Sequence, residues 1–215
     1  MKKLKLILFD IDNTLVFGES ARKYYRQYGP LLEKTISEIM GISMEQGQMI
    51  ANEFRLKFDG RGEKAFEVFD ENMSMWNRAI CSLDPFEHIV PNTKVSNILT
   101  DLKKAGYVLG VVTDGPTVQA YKILKAAGID REVFNIFIGW EFGMKMPKGG
   151  RKDVYKKIIS QHNLKPDEIM MVGDSILTDI SPAHECGMQV LYINEEKHNL
   201  FPTSKTVDDL INYIN

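Results

Sequence analysis

Five short apolar runs, each ended by a polar residue or a glycine, alternate with amphipathic segments of about a dozen residues. The runs are Leu4 to Phe9, Tyr107 to Val112, Ile136 to Trp140, Ile169 to Val172 and Gln189 to Ile193. They are nearly apolar throughout rather than alternating, the pattern of strands covered on both faces of a parallel sheet. The segments between them read as helices: Lys94 to Ala105, Thr117 to Ala127, Lys152 to His162 and Leu177 to Cys186. Three of these stop at Gly106, Gly128 and Gly187, where glycine ends a helix at no steric cost. Such alternation implies an α/β fold: a Rossmann-like parallel sheet core with helices on both faces. One stretch breaks it. From Ser20 to Leu83 apolar residues recur only at helical spacing, as in Leu32, Ile36, Ile39 and again in Phe69, Met73, Trp76 and Ile80. An inserted all-helical domain over 17–87 is therefore expected, dividing the α/β core into 1–16 and 88–215.

Composition narrows the partners. The chain has 215 residues and a net charge of −2, with 27 Lys and Arg against 29 Asp and Glu. No basic excess is available to hold a nucleic-acid backbone, so a small molecule is the expected ligand. Cys81 and Cys186 lie far apart without a CxxC or histidine companion, so neither a disulfide framework nor a zinc site is suggested. The apolar run behind Met1-Lys2-Lys3 stops at Phe9, too short for a signal peptide or a membrane helix, and a cytoplasmic address is expected. His88, His162, His184 and His198 share no ligand spacing and read as surface or packing residues.

In open parallel sheets ligands bind beyond the carboxyl ends of the strands. Asp10-Ile11-Asp12-Asn13-Thr14 follows the first strand, Thr113-Asp114-Gly115 the second, and Gly173-Asp174-Ser175 the fourth, with Asp179 behind it. Each alone has a plain structural reading as an Asx turn, a turn signal or a helix cap. Together they bring carboxylates and a hydroxyl to one sheet edge, where like charges repel unless a cation sits among them. Oxygen-only ligands favour a hard divalent ion, Mg²⁺ before transition metals.

With these residues in place the sequence resembles the haloacid dehalogenase superfamily of Mg²⁺-dependent phosphohydrolases and their relatives. Its DxDxT motif is matched by Asp10, Asp12 and Thr14, its second-strand hydroxyl by Thr113, and its GDSxxxD motif by Gly173, Asp174, Ser175 and Asp179. The resemblance covers about two thirds of the chain. Phosphoryl transfer needs an in-line nucleophile, neutralised equatorial oxygens and a proton for the leaving alkoxide. Asp10 is the expected nucleophile, forming an aspartyl-phosphate. The resemblance implies that Asp12 protonates the leaving group and then activates the hydrolytic water. Thr113, with Asp114 and Gly115 beside it, is expected to hold the phosphoryl group, aided by a lysine. Mg²⁺ is expected on Asp10, the Asp12 backbone carbonyl and Asp174, with Asp179 as a ligand or an orienting neighbour.

The third motif departs from the family pattern, which places Pro after its Lys. Here the segment reads Met144-Lys145-Met146-Pro147-Lys148-Gly149-Gly150. Lys148 has the better spacing ahead of the next helix and is the expected site lysine, with Lys145 the alternative. Gly149-Gly150-Arg151-Lys152 lacks full P-loop spacing and reads as a linker into that helix.

The helical insertion resembles the family's cap, which in relatives closes over small metabolites. Arg22, Lys23 and Arg26, interleaved with Tyr24, Tyr25 and Tyr28, either face an anionic leaving group or form a solvated face with aromatics turned inward, the plainer reading. The leading expectation is a phosphatase of a small phosphorylated metabolite, monomeric or homodimeric. Phosphomutase, 2-haloacid dehalogenase and a non-catalytic phosphate-binding module are the alternatives. Asp12 argues against the dehalogenase, because expelling halide needs no proton.

Overall fold

The computed structural model describes residues 4–58, 74–140 and 150–214. Its centre is a six-stranded sheet in the order β3-β2-β1-β4-β5-β6 with every pairing parallel. The strands are β1 (Leu6–Phe9), β2 (Val108–Pro116), β3 (Ile136–Trp140), β4 (Ile169–Gly173), β5 (Gln189–Ile193) and β6 (Thr203–Ser204). Strand β1 lies in the middle, Leu6 opposite Val108 on one side and Ile169 on the other. Strand order reverses there, which opens a crevice at the carboxyl end of β1.

Side chains of β1 alternate between two apolar layers, as the two-residue strand period demands. Ile7 and Phe9 pack with α5 (Thr93–Lys104) and α6 (Thr117–Ala126) through Val95, Leu99, Ile123 and Leu124. Leu6 and Leu8 pack on the opposite face with Tyr155 and Ile158 of α7 (Arg151–Gln161) and with Ala183 of α8 (Ser181–Glu185). All four β1 side chains are fully buried. Each contributes about 1.5–3 kcal/mol in removing apolar surface from water. The α/β sandwich expected from the apolar runs is the fold observed.

Between β1 and β2 the described residues are helical: α1 (Glu19–Tyr25), α2 (Tyr28–Met40), α3 (Met44–Lys57) and α4 (Ser74–Cys81). A capping box starts α3, the Ser43 hydroxyl accepting from the Gln46 amide while the Gln46 side chain accepts from the Ser43 amide. Helices α2, α3 and α4 share a small core of Leu32, Ile36, Ala51, Trp76 and Ile80. Helix α1 is different, because Ala21 and Tyr24 pack into the sheet-side layer. Among the described residues no helix is long and apolar enough to cross a membrane.

Two elements differ from the sequence expectation. Strand β6 has two residues and no apolar run to announce it. The segment expected as one helix from Leu177 to Cys186 is a π-helical turn, Ile176–Ile180, followed by α8. Pro182 in the first turn of α8 cannot donate to the preceding turn, which favours the break there. The wider turn lets Asp179 fold back to accept from the Ser175 amide at 3.1 Å.

Candidate active site

The carboxyl ends of β1, β2 and β4 supply the acidic residues. Asp10 ends β1, held by its amide donating to the Val172 carbonyl at 3.0 Å. The chain then turns tightly, with the amides of Leu15 and Val16 both donating to the Ile11 carbonyl. Asn13 takes a left-handed φ of 55° in this turn, a conformation its short polar side chain tolerates. Its side-chain amide donates to Asp174 Oδ2 at 3.1 Å, joining the first turn to the fourth strand.

Asp10, Asp174 and Asp179 bring carboxylate oxygens within 4.8 Å of one another. Asp10 and Asp179 are buried, and Asp174 is half-buried. The packing behind the cluster explains the glycine of Gly173-Asp174: a Cβ there would lie 2.4 Å from Asp179 Oδ2. Burial, reinforced by the neighbouring carboxylates, raises Asp10 well above the ordinary range and Asp174 to about 7. Asp179 is raised by burial too, although Arg151 and the Ser175 amide oppose that shift.

One guanidinium binds this set together. Arg151 Nε donates to Asp114 Oδ1 at 2.8 Å, Nη1 to the Val112 carbonyl and Asp179 Oδ1, both at 2.9 Å, and Nη2 to Asp10 Oδ1 at 3.3 Å. Arg151 opens α7 behind Gly150, whose φ is 58°, and shares a helix face with the buried Tyr155 and Ile158. An arginine at i of an i, i+4, i+7 buried stripe was a legible signal that this side chain points inward. The linker reading missed it. Lys148 and Lys145 lie outside the described residues. Among the described residues, Arg151 is the cation that pairs with Asp10.

Asp12 faces another environment. It is outside the three-carboxylate cluster and lines a small pocket together with Thr113, Gly115, Tyr28 and Ile80. Burial raises it to about 6, against the nearby Tyr25 phenol, which opposes the rise. Tyr25 Oη is itself buried, and burial together with the neighbouring Asp12 raises the phenol. Thr113, 8% exposed, accepts from the Gly115 amide at 3.2 Å, which holds its hydroxyl beside the Asp114 turn. Arg22, Lys23 and Arg26 are exposed and Tyr24 is buried, so the plainer reading of that helix holds. Arg22 pairs with Glu19 at 3.2 Å.

The acidic set fits a divalent cation on its own chemistry. Asp10, Asp12, Asp114, Asp174 and Asp179 face a single guanidinium among the described residues, and buried carboxylates in that excess need further positive charge. All the candidate donors are oxygens, as a hard cation requires.

The haloacid dehalogenase-like hydrolase family model matches residues 7–193. The chain is 26% identical to a glyceraldehyde 3-phosphate phosphatase of Pyrococcus furiosus, over 92% of this chain and 84% of that protein. It is 31% identical to a phosphoglycolate phosphatase of Pasteurella multocida, over 98% of this chain and 95% of that protein. A crystal structure of a HAD phosphatase from Thermococcus onnurineus superimposes with a TM-score of 0.70 at 23% identity, covering 99% of this chain and 98% of the other.

Proposed function

The chain belongs to the haloacid dehalogenase-like hydrolase family, and from that premise we propose that it is a Mg²⁺-dependent phosphatase of a small phosphorylated metabolite. The observation that carries this reading is the contrast between two neighbouring carboxylates. Asp10 sits among carboxylates and a guanidinium, whereas Asp12, titrating near 6, lines a pocket beside Thr113. A nucleophile in a charged cluster next to an acid poised near neutrality is what ester cleavage requires and what halide expulsion does not. The names of the relatives, glyceraldehyde 3-phosphate phosphatase and phosphoglycolate phosphatase, support the same class of substrate.

In this mechanism an Asp10 oxygen attacks phosphorus, and the bond from phosphorus to the ester oxygen breaks. Asp12 gives its proton to that leaving oxygen and becomes the base for the next step. Water then attacks the aspartyl-phosphate, losing a proton to Asp12, and Asp10 and inorganic phosphate are released. Thr113 and backbone amides beside it would hold the phosphoryl oxygens. Arg151 anchors Asp10, Asp114 and Asp179 and offsets their charge; Lys148 remains the sequence candidate for a second cation. Mg²⁺ would be held by Asp10, Asp174 and the Asp12 backbone carbonyl, and when bound it supplies charge neutralisation at the phosphoryl group. Both Asp179 oxygens already accept hydrogen bonds from the protein, so Asp179 orients the cluster. Residues 17–87 would serve as the cap over a core of 1–16 and 88–215.

Phosphate release from sugar, polyol, nucleotide and carboxylate phosphates, with Mg²⁺ or with EDTA, tests the reading. Release dependent on Mg²⁺ supports it. Conversion of a substrate to its phosphate isomer without release would identify a mutase, and halide release from 2-haloacids would identify a dehalogenase.

A further inference from the structure

The pocket beyond Asp12 contains a buried amide whose one free atom has no role in the chemistry above. Gln119, on the first turn of α6, is 1% exposed. Its Nε2 donates to the Tyr24 hydroxyl at 2.6 Å and to the Leu83 carbonyl at 2.9 Å. A carbonyl only accepts, so the contact with Leu83 fixes which end of the amide is nitrogen. Both N–H groups are thereby used. Oε1 is buried and accepts from nothing among the described residues, and Gln119 is one of the residues lining the pocket with Asp12 and Thr113. A buried acceptor left unpaired in an otherwise well-bonded amide is a vacancy for a donor.

The rest of the lining says what carries that donor. Ile11, Ile80, Pro116, Ala120 and Ile123 make the wall apolar, and no basic residue lines it among the described residues. A small terminal group can enter beside such a wall. A carboxylate would meet Asp12 and an amide oxygen, with no cation lining the pocket among the described residues. We infer that Gln119 is a specificity residue whose Oε1 accepts a hydrogen bond from a hydroxyl group on the leaving side of the substrate, selecting neutral polyol phosphates over carboxylate phosphates. The inference rests on the phosphatase reading and names the substrate class of the same site. Gln119 is placed by two hydrogen bonds, to Tyr24 on α1 and to Leu83 at the end of the helical insertion, so its acceptor is held in advance of binding.

The test is kcat/KM on glycerol 3-phosphate, propyl phosphate and 2-phosphoglycolate with Mg²⁺, for the wild-type protein and for Gln119→Met, whose side chain keeps the length and lacks the acceptor. The wild type is expected to prefer glycerol 3-phosphate to each of the others by about tenfold or more, the factor one hydrogen bond supplies. In Gln119→Met the preference over propyl phosphate is expected to fall to about threefold or less. Equal wild-type kcat/KM values on glycerol 3-phosphate and propyl phosphate overturn the inference whatever the variant does, and so does a preference that survives in folded Gln119→Met. A wild type that favours 2-phosphoglycolate overturns it as well. Release from none of these, p-nitrophenyl phosphate included, overturns the phosphatase reading and this inference with it, whereas release without preference overturns this inference alone.

Discussion

The sheet edge and the pocket beside it are built on opposite principles. At the edge, Asp10, Asp174 and Asp179 crowd within 4.8 Å, and each gives at least one oxygen to a hydrogen bond from Arg151, Asn13 or the Ser175 amide. In the pocket, apolar walls surround a few polar atoms, and a buried one, Gln119 Oε1, accepts no hydrogen bond among the described residues. The edge is supplied by strand ends and α7, whereas the pocket also draws on the helical insertion through Tyr28 and Ile80. A committed network keeps one geometry for every substrate; an uncommitted one leaves bonds for a particular substrate to complete. Chemistry and choice are thus assigned to different elements.

The largest effect should come from the edge. Asp10→Asn, nearly isosteric, is expected to lower turnover by roughly a thousandfold or more on every substrate while the protein stays folded by circular dichroism. Activity within tenfold of wild type would remove Asp10 as nucleophile. Arg151→Lys keeps the charge and loses the fork, so kcat should fall by about a hundredfold across substrates. Arg151→Met should instead cost about 3–5 kcal/mol of stability by stranding buried carboxylates, read by denaturant unfolding. If Arg151→Lys is silent, another cation, with Lys148 the first candidate, carries the charge.

Asp12 lies on the border between the two regions, and its variant separates them. Asp12→Asn should reduce formation of the aspartyl-phosphate about a hundredfold more for an alkyl phosphate than for p-nitrophenyl phosphate, whose phenolate leaves without a proton. Equal losses in single-turnover kinetics would take the acid role from Asp12.

The smallest effect is a pH dependence of stability. Asp12 near 6 and Asp174 near 7 both titrate above their ordinary value of 3.8, so the folded protein binds these protons more tightly than the unfolded chain. Their stabilisation is complete below the unfolded value and is lost as pH rises through 6 to 7. The Tm of metal-free protein should therefore fall by about 5 °C between about pH 5 and about pH 8, and Mg²⁺ should raise it more at the higher pH. A flat metal-free profile would mean the carboxylates are less crowded than the structure has them.

The difference between the two regions also decides what could be read from the sequence. The sheet edge was legible because buried strands write apolar runs and the carboxylates follow them directly, as in Phe9-Asp10 and Val172-Gly173-Asp174. Arg151 was half legible: its i, i+4, i+7 relation to Tyr155 and Ile158 marks a buried face, but an arginine at a helix start next to Gly149-Gly150 reads equally as a solvated linker. Gln119 was not legible, because its partners Tyr24 and Leu83 stand 95 and 36 residues away and only the fold brings them together. The packing of Tyr24 and Ala21 of the first inserted helix into the sheet-side layer was not legible either, because periodicity marks a buried face without naming what covers it.

The central claim, that Asp10 forms a covalent bond to phosphorus, is tested most directly by mass spectrometry of acid-quenched protein mixed with a phosphomonoester and Mg²⁺. Wild type should carry one added phosphoryl mass, mapped by peptide fragmentation to Asp10, and Asp10→Asn should carry none. Phosphate release from wild type with no adduct at any quench time, or an adduct that persists in Asp10→Asn, would contradict the account.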